Sequence, residues 1–395
     1  MFDVSTIQSA LREFGLDGWL LYDFRNSNLL ARRVLGFTEG SMSSRRWFYF
    51  IPAEGEPKKL VHRIEASALD HLPGVSMVYL RWQELEAGVA ELVSGAKRVA
   101  MEYSPRNANP YVSRVDAGTV ELVRSTGVEI HTSGDLIARF EASWDDEQWE
   151  SHLEAERGTT SAYEVAWKLI AERVRSGFPA SETEVQQAIM DHFQTLGLTT
   201  YHPPIVGVGP HSGDPHFETG PTTDLAVAEG CFVLIDLWAK VDRPRSVYSD
   251  LTRVAFVGTE VPPHYAEVFQ VVAQARDAAI ASVRTAFALR RPLHGYEVDD
   301  AAREVIESAG FGEFFIHRTG HSIGQEVHGN GANLDDLETR DDRLILPRSC
   351  FSVEPGIYQS EFGVRSEINV FVDGEGKVHV TGGLQNEVVP ILSAY

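Results

Sequence analysis

The sequence predicts an α/β domain followed by an α+β domain, and three observations carry that prediction. The chain has 395 residues, which exceeds one ordinary domain and suits two at about 150 residues each. Up to about residue 140, short apolar runs alternate with helix-like spacing, as an α/β layer requires. From Asp145 the texture changes to long charged helices and then to strand-rich sequence. We place the domains at 1–145 and 146–395.

In the first domain, Thr6 to Phe14 has helical spacing, and Gly18 to Tyr22 is a short apolar strand. Arg46 to Ile51 is a second strand that ends at the turn-like PAEGEP. Ser76 to Leu80, Arg98 to Met101 and Val128 to Thr132 complete the strand set. In the second domain, Asp145 to Arg175 is expected to be helical with a break near Gly158. Ser181 starts a helix over Glu182 to Leu196, with Glu184 completing a capping box. Further helices are expected over Pro263 to Leu289 and Glu297 to Ala309.

Composition narrows the function classes. Hydrophobic residues make up 43% and charged residues 23%, as in soluble globular chains. Lys plus Arg number 35 against 57 Asp plus Glu, a formal net charge of -22. That excess repels nucleic acid and anionic membranes. The two cysteines, Cys231 and Cys350, lie in apolar strand-like runs and read as reduced core thiols. The N-terminal stretch has no basic region leading into an apolar segment, and no run of about 18 uncharged apolar residues occurs. A cytoplasmic location is expected.

The chemistry lies in acids that interrupt apolar strands. GCFVLIDLWAK is apolar except for Asp236 and its terminal lysine, and VYSDLTRVAFVG carries Asp250. A carboxylate in such a run is unfavourable unless it is paired or cation-bound. The two-residue period puts Tyr248, Asp250 and Thr252 on one face, and a hairpin would let Asp236 and Asp250 share a cavity. This pair alone is equally consistent with hydrogen-bonded packing. FSVEPGIY ends a strand at Glu354, and GVRSEINVFV places Arg365, Glu367 and Asn369 on one strand face. Four carboxylates in one cavity repel unless cations neutralise them.

Between the pairs, HRTGHSIGQEVHG holds His317, His321 and His328, without the HExxH zinc pattern. A Gly-punctuated histidine loop is equally consistent with surface turns. Beside four carboxylates, one imidazole suits the nitrogen ligand of an oxygen-rich site. Upstream, HPPIVGVGPHSGDPHFE contributes His202, His211 and His216.

In order, LID, SDLTR, HRTGHSIGQEVH, EPGIY and VRSE resemble the pita-bread metallopeptidases: prolidase, aminopeptidase P and methionine aminopeptidase. The motifs span Pro203 to Val370. The resemblance implies a creatinase-like α/β N-terminal domain followed by an α+β pita-bread catalytic domain. It implies two divalent metal ions held by Asp236, Asp250, His321, Glu354 and Glu367, with Asp250 and Glu367 bridging. Hydrolysis of the bond before proline would use a metal-bridging hydroxide, with Glu354 shuttling the proton. His216, His317 and His328 would contact substrate, and Arg365 would orient the carboxylates. Four carboxylates to one imidazole favour Mn²⁺, with Zn²⁺ or Co²⁺ as alternatives.

The N-terminal domain is similar to those of prolidases and aminopeptidases P, which implies a homodimer. Arg340 stands about where prolidases place an arginine for the dipeptide carboxylate. A surface arginine is the equal alternative. The expected activity is therefore Xaa-Pro dipeptide cleavage, with aminopeptidase P as the alternative. A metal-free creatinase-like hydrolase and a non-catalytic binding module are the rivals, and the full ligand set argues against both. Departures from the pattern include Leu-Trp-Ala-Lys after Asp236 where a glycine usually follows soon, a longer turn between Asp236 and Asp250, Val254 for threonine, and Gly329 after His328 where an acidic residue is usual.

Overall fold

The computed structural model describes residues 3–38 and 40–395. The chain divides into two compact units, residues 1–141 and 142–395.

The first unit is built on a six-stranded mixed sheet of order β4-β3-β2-β1-β5-β6. Its strands are β1 Gly18–Asp23, β2 Trp47–Pro52, β3 Lys58–His62, β4 Val75–Tyr79, β5 Arg98–Met101 and β6 Glu129–Thr132. Helices α1 Val4–Glu13, α2 Leu29–Val34, α3 Trp82–Leu92, α4 Ala117–Ser125 and α5 Gly134–Glu141 accompany it. The central strands are buried on both faces. Trp19 and Leu21 of β1 join one apolar cluster with Trp47, Tyr49 and Ile51 of β2. Leu20 and Tyr22 join the other with Phe48 and Phe50. Period-two alternation therefore separates two cores instead of core from solvent.

Strand β3 is absent from the sequence reading because Lys58-Lys59 looks solvated. Lys59 is instead buried, and its ammonium donates to the carbonyls of Leu69 and Leu72 at 3.0 and 2.5 Å.

The second unit begins with α6 Asp146–Arg175 and α7 Glu182–Thr195. Asp145 and Ser181 cap these helices, each in a capping box. The expected break near Gly158 does not occur. A Cβ there would lie 2.4 Å from Leu198 Cδ1, so this glycine lets the helix approach the sheet without kinking it.

Strands β7 Leu198–Thr199, β8 Ile205–Val208, β9 Phe232–Val241 and β10 Ser249–Phe256 follow, then helices α8 Pro263–Ala288 and α9 Gly295–Ser308. The C-terminal part contains β11 Ser322–Ile323, β12 Cys350–Val353, β13 Gly356–Tyr358, β14 Gly363–Arg365, β15 Ile368–Val372, β16 Val378–Thr381 and β17 Val389–Pro390. One sheet runs β17-β10-β9-β7 with β8 also on β9, another runs β11-β12-β15-β16, and β13 pairs with β14. Both cysteines are free thiols. Among the described residues, no helix is long and apolar enough to cross a membrane.

Two features of this unit position the site. Strands β9 and β10 form an antiparallel hairpin in which Asp236 opposes Thr252 and Trp238 opposes Asp250, so all four side chains share one face. The run expected as one strand from Arg365 to Asn369 is instead broken between β14 and β15. At the break the Ser366 N–H donates to the Pro355 carbonyl and the Glu367 N–H to the Thr252 carbonyl. The backbone groups of Ser366 and Glu367 thus serve neighbouring segments, which brings Glu367 onto β10.

Gly320 lies where another chain segment passes against the backbone: a Cβ there would sit 2.1 Å from the Ser352 carbonyl oxygen. Gly320→Ala is expected to destabilise the protein by about 1–3 kcal/mol, the usual effect of overpacking. Urea titration checks this, and an unchanged midpoint would contradict the contact.

Candidate metal centre

The hairpin, the segment before β11 and the two ends of the EPGIY–VRSE region converge on one buried cluster. Asp236 and Asp250 come from β9 and β10, His321 from just before β11, Glu354 from the end of β12, and Glu367 from the break before β15. One ligand atom from each of Asp250, His321 and Glu367 lies within 4.8 Å of the others. His321 Nε2 is 3.4 Å from both Asp250 Oδ2 and Glu354 Oε1.

The tautomer of His321 follows from its other nitrogen. Nδ1 is 3.1 Å from the Ser322 carbonyl, which can only accept, so Nδ1 carries the hydrogen. Burial holds the His321 pKa below its usual value. The neutral ring therefore turns the Nε2 lone pair toward two carboxylates, an arrangement that a cation satisfies.

Burial also pushes every acid of the cluster upward. Asp236 rises to about 6 and Asp250 to about 7. Glu354 is raised and Glu367 raised well above its usual value, with neighbouring carboxylates adding to the burial effect. Glu367 Oε1 is buried without a hydrogen-bond partner. An orphaned carboxylate oxygen beside an imidazole lone pair and three further carboxylates fits divalent cations by donor type.

Arg365 is the guanidinium of this cluster. It pairs with Asp236, donates from Nε to Thr252 Oγ1 at 2.9 Å, and from Nη1 to Tyr358 Oη at 3.1 Å. Thr252 lies 2.7 Å from Glu367 Oε2 and 3.1 Å from Asp236 Oδ1. Ser352 accepts from the His321 N–H and donates to Glu354. Thr252, Ser352 and Tyr358 are thus functional neighbours to which the sequence reading gave no role. Only Thr252 left a signal, by sharing the Asp250 strand face.

The other predicted residues divide. His328 meets His321 edge-on with ring centroids 4.4 Å apart, and His321 with burial lowers its pKa to about 3. His216 is exposed on the loop after β8 and is close enough to depress both His317 and His328 electrostatically. Both nitrogens of His317 are engaged, Nδ1 with the Arg318 carbonyl and Nε2 with the Tyr358 hydroxyl. His211 instead bonds the buried Glu182, and His202 stacks on Trp238. Arg340 is exposed, pairs with Asp336 at 3.2 Å and lies 3.8 Å over the Tyr296 ring. A cleft of about 1150 Å³ in the first unit contains none of these residues. Ligand chemistry, more than cavity size, locates the site.

Comparison with known proteins identifies the family and the fold. Residues 151–374 match the sequence signature described as Metallopeptidase family M24. The chain is 27% identical over 336 residues to a probable dipeptidase PepE of Mycobacterium tuberculosis, covering 84% of this chain and 82% of that protein. It is 32% identical over 200 residues to an Xaa-Pro dipeptidase of Lactobacillus helveticus, covering 50% and 47%. The crystal structure of dipeptidase PepE from Mycobacterium ulcerans superposes with a TM-score of 0.69 at 23% identity, covering 98% and 96%, which shows a shared fold.

Raised carboxyl pKa values set the pH response of the metal-free protein. Between the ordinary aspartate value near 3.8 and the folded values of about 6 and about 7, the native state holds more protons than the unfolded chain. Stability from these groups is present at low pH and is lost as pH rises through that window. Thermal unfolding of chelated protein should show Tm contributed by this cluster falling from pH 5 to pH 8, with added Mn²⁺ restoring it most at pH 8. Removing Glu367 as Glu367→Gln should reduce both the fall and the restoration. A pH profile and metal response identical to those of the parent would contradict the assignment.

Proposed function

Because the chain belongs to metallopeptidase family M24, we propose that it is a dinuclear-metal dipeptidase that hydrolyses the bond between a first residue and proline. The observation that carries this reading is the buried cluster of Asp250, His321 and Glu367 with its unpartnered Glu367 oxygen, flanked by Asp236 and Glu354. Relatives named Xaa-Pro dipeptidase support the substrate class.

In this proposal Asp236, Asp250, His321, Glu354 and Glu367 hold two divalent ions, Mn²⁺ being favoured by the oxygen-rich set. Such ions supply an acidified water and polarise the scissile carbonyl. Asp250 and Glu367, which lie in the donor cluster with His321, would be the ligands shared by both ions, the role that the family resemblance implies. Arg365 fixes Asp236 through its ion pair.

Glu354 is the proton carrier. Its carboxyl is raised by burial and oriented by the Ser352 hydroxyl at 3.1 Å. It is suited to take a proton from water and return it to the departing proline nitrogen. That nitrogen has no hydrogen before cleavage, so recognition cannot use an N–H at the scissile bond. His216, His317 and His328 face substrate, and the Tyr358 hydroxyl orients the His317 ring. Arg340, exposed and only loosely paired with Asp336, receives the C-terminal carboxylate of a dipeptide.

Hydrolysis of Ala-Pro beside Ala-Pro-Ala, after chelation and after adding Mn²⁺ or Zn²⁺, tests this reading. The expected result is metal-restored cleavage of the dipeptide. Restored cleavage of the tripeptide alone would assign aminopeptidase P, and no restored cleavage of either would refute the reading. Asp250→Ala should lose tight metal binding and lower kcat by at least about a hundredfold, as metal analysis and turnover would report. Arg340→Ala is expected to raise KM for dipeptides well above its effect on tripeptides, and equal effects would remove this arginine from carboxylate binding.

A further inference from the structure

The β9–β10 hairpin continues past the metal-binding acids, and its outer end is aromatic. On the face that carries Asp236 and Asp250, Trp238 lies opposite Asp250. Beyond it the Lys240 ammonium sits 4.9 Å from the centre of the Tyr248 ring. The loop before β8 covers the indole: Tyr201 and His202 each have ring centroids 6.0 Å from Trp238, and His202 is nearly parallel to it. Tyr201 meets Tyr248 edge-on at 6.3 Å.

A cavity of about 440 Å³ lies between these rings and the His328 loop, lined by Tyr201, Lys240, Tyr248, Val327 and His328 among others. His328 is both a wall of this cavity and the edge-on neighbour of His321. His328 therefore links the cavity to the cluster.

We propose that this cavity is the subsite for the residue preceding proline and that it selects aromatic side chains; this rests on the Xaa-Pro reading above. The space is far larger than an alanine methyl needs, and flat π faces on its walls favour a ring. A charged side chain gains no net attraction, because Lys240, which donates to the Gln325 carbonyl at 2.7 Å, and Glu326 in the wall carry opposite charges that offset each other. Tyr201, 66% exposed, forms the outer lip. Its side chain can be removed without disturbing a core.

The test compares kcat/KM of the Mn²⁺-loaded enzyme for Phe-Pro, Ala-Pro and Glu-Pro. Phe-Pro should be preferred over Ala-Pro by about tenfold, the worth of one good ring contact, and over Glu-Pro as well. Tyr201→Ala should lower kcat/KM for Phe-Pro several-fold more than for Ala-Pro, and Tyr201→Phe should keep the preference. Equal rates for Phe-Pro and Ala-Pro, or a preference untouched in Tyr201→Ala, would overturn the subsite. Calorimetric binding of free L-phenylalanine and L-alanine to the same proteins separates this idea from the Xaa-Pro reading. If no Xaa-Pro peptide is cleaved, tighter phenylalanine binding that weakens in Tyr201→Ala still supports the subsite. Equal binding of the two amino acids overturns it.

Discussion

Mutual repulsion among four buried carboxylates is the constraint on which the catalytic unit depends. Asp236, Asp250, Glu354 and Glu367 lie in one buried cluster, and their raised pKa values express the burial and repulsion of their charged forms. Arg365 pairs with Asp236 and offsets only part of this charge. His321 is neutral and presents a lone pair. Such a cluster is tolerable when protonated or when cation-bound.

A cluster that repels itself must be held by the backbone around it. Arg253, whose position on β10 alternates with the ligand-bearing face, donates to the carbonyls of Thr252, Glu367, Gly382 and Gly383. Asn369 grips both the N–H and the carbonyl of Asp250, at 3.0 and 2.6 Å. Arg276 reaches from α8 to Ser366 Oγ and the Gln385 carbonyl, and Tyr163 on α6 donates to the Leu251 carbonyl at 2.5 Å. Each clamp holds the backbone of one of these acids or a residue next to it and makes no bond to a carboxylate oxygen of the cluster. Buried guanidinium groups that serve carbonyls in this way are satisfied without competing for the cation site.

Much of this was legible in the sequence because it depends on local pattern. An acid within an apolar strand declares itself, and the two-residue period placed Asp250 and Thr252 together before any coordinates. Capping at Ser181 was equally readable. What escaped the sequence depends on tertiary packing. Lys59 is silent until the carbonyls of Leu69 and Leu72 surround it, and Gly158 reads as a helix breaker until Leu198 is found against it. The strand break at Ser366–Glu367 depends on neighbouring segments, whose Pro355 and Thr252 carbonyls take those two amides. Tyr358 is indistinguishable from a core tyrosine in sequence, and only its position between His317 and Arg365 gives it a role.

The hairpin also separates chemistry from selection along its length. Its inner part, Asp236 with Thr252 and Asp250, is fixed by charge and by the clamps on its backbone, so little there can vary without losing the cation site. Its outer part, from Trp238 to Tyr248, is shaped by ring packing against the Tyr201–His202 loop, and a substitution there changes a wall and spares the ligands. The enlarged turn between the two aspartates lies at this outer end. An insertion at that place lengthens the substrate wall while the register that opposes Asp236 with Thr252 is preserved. Ligand geometry and side-chain preference can therefore change independently on a single strand pair.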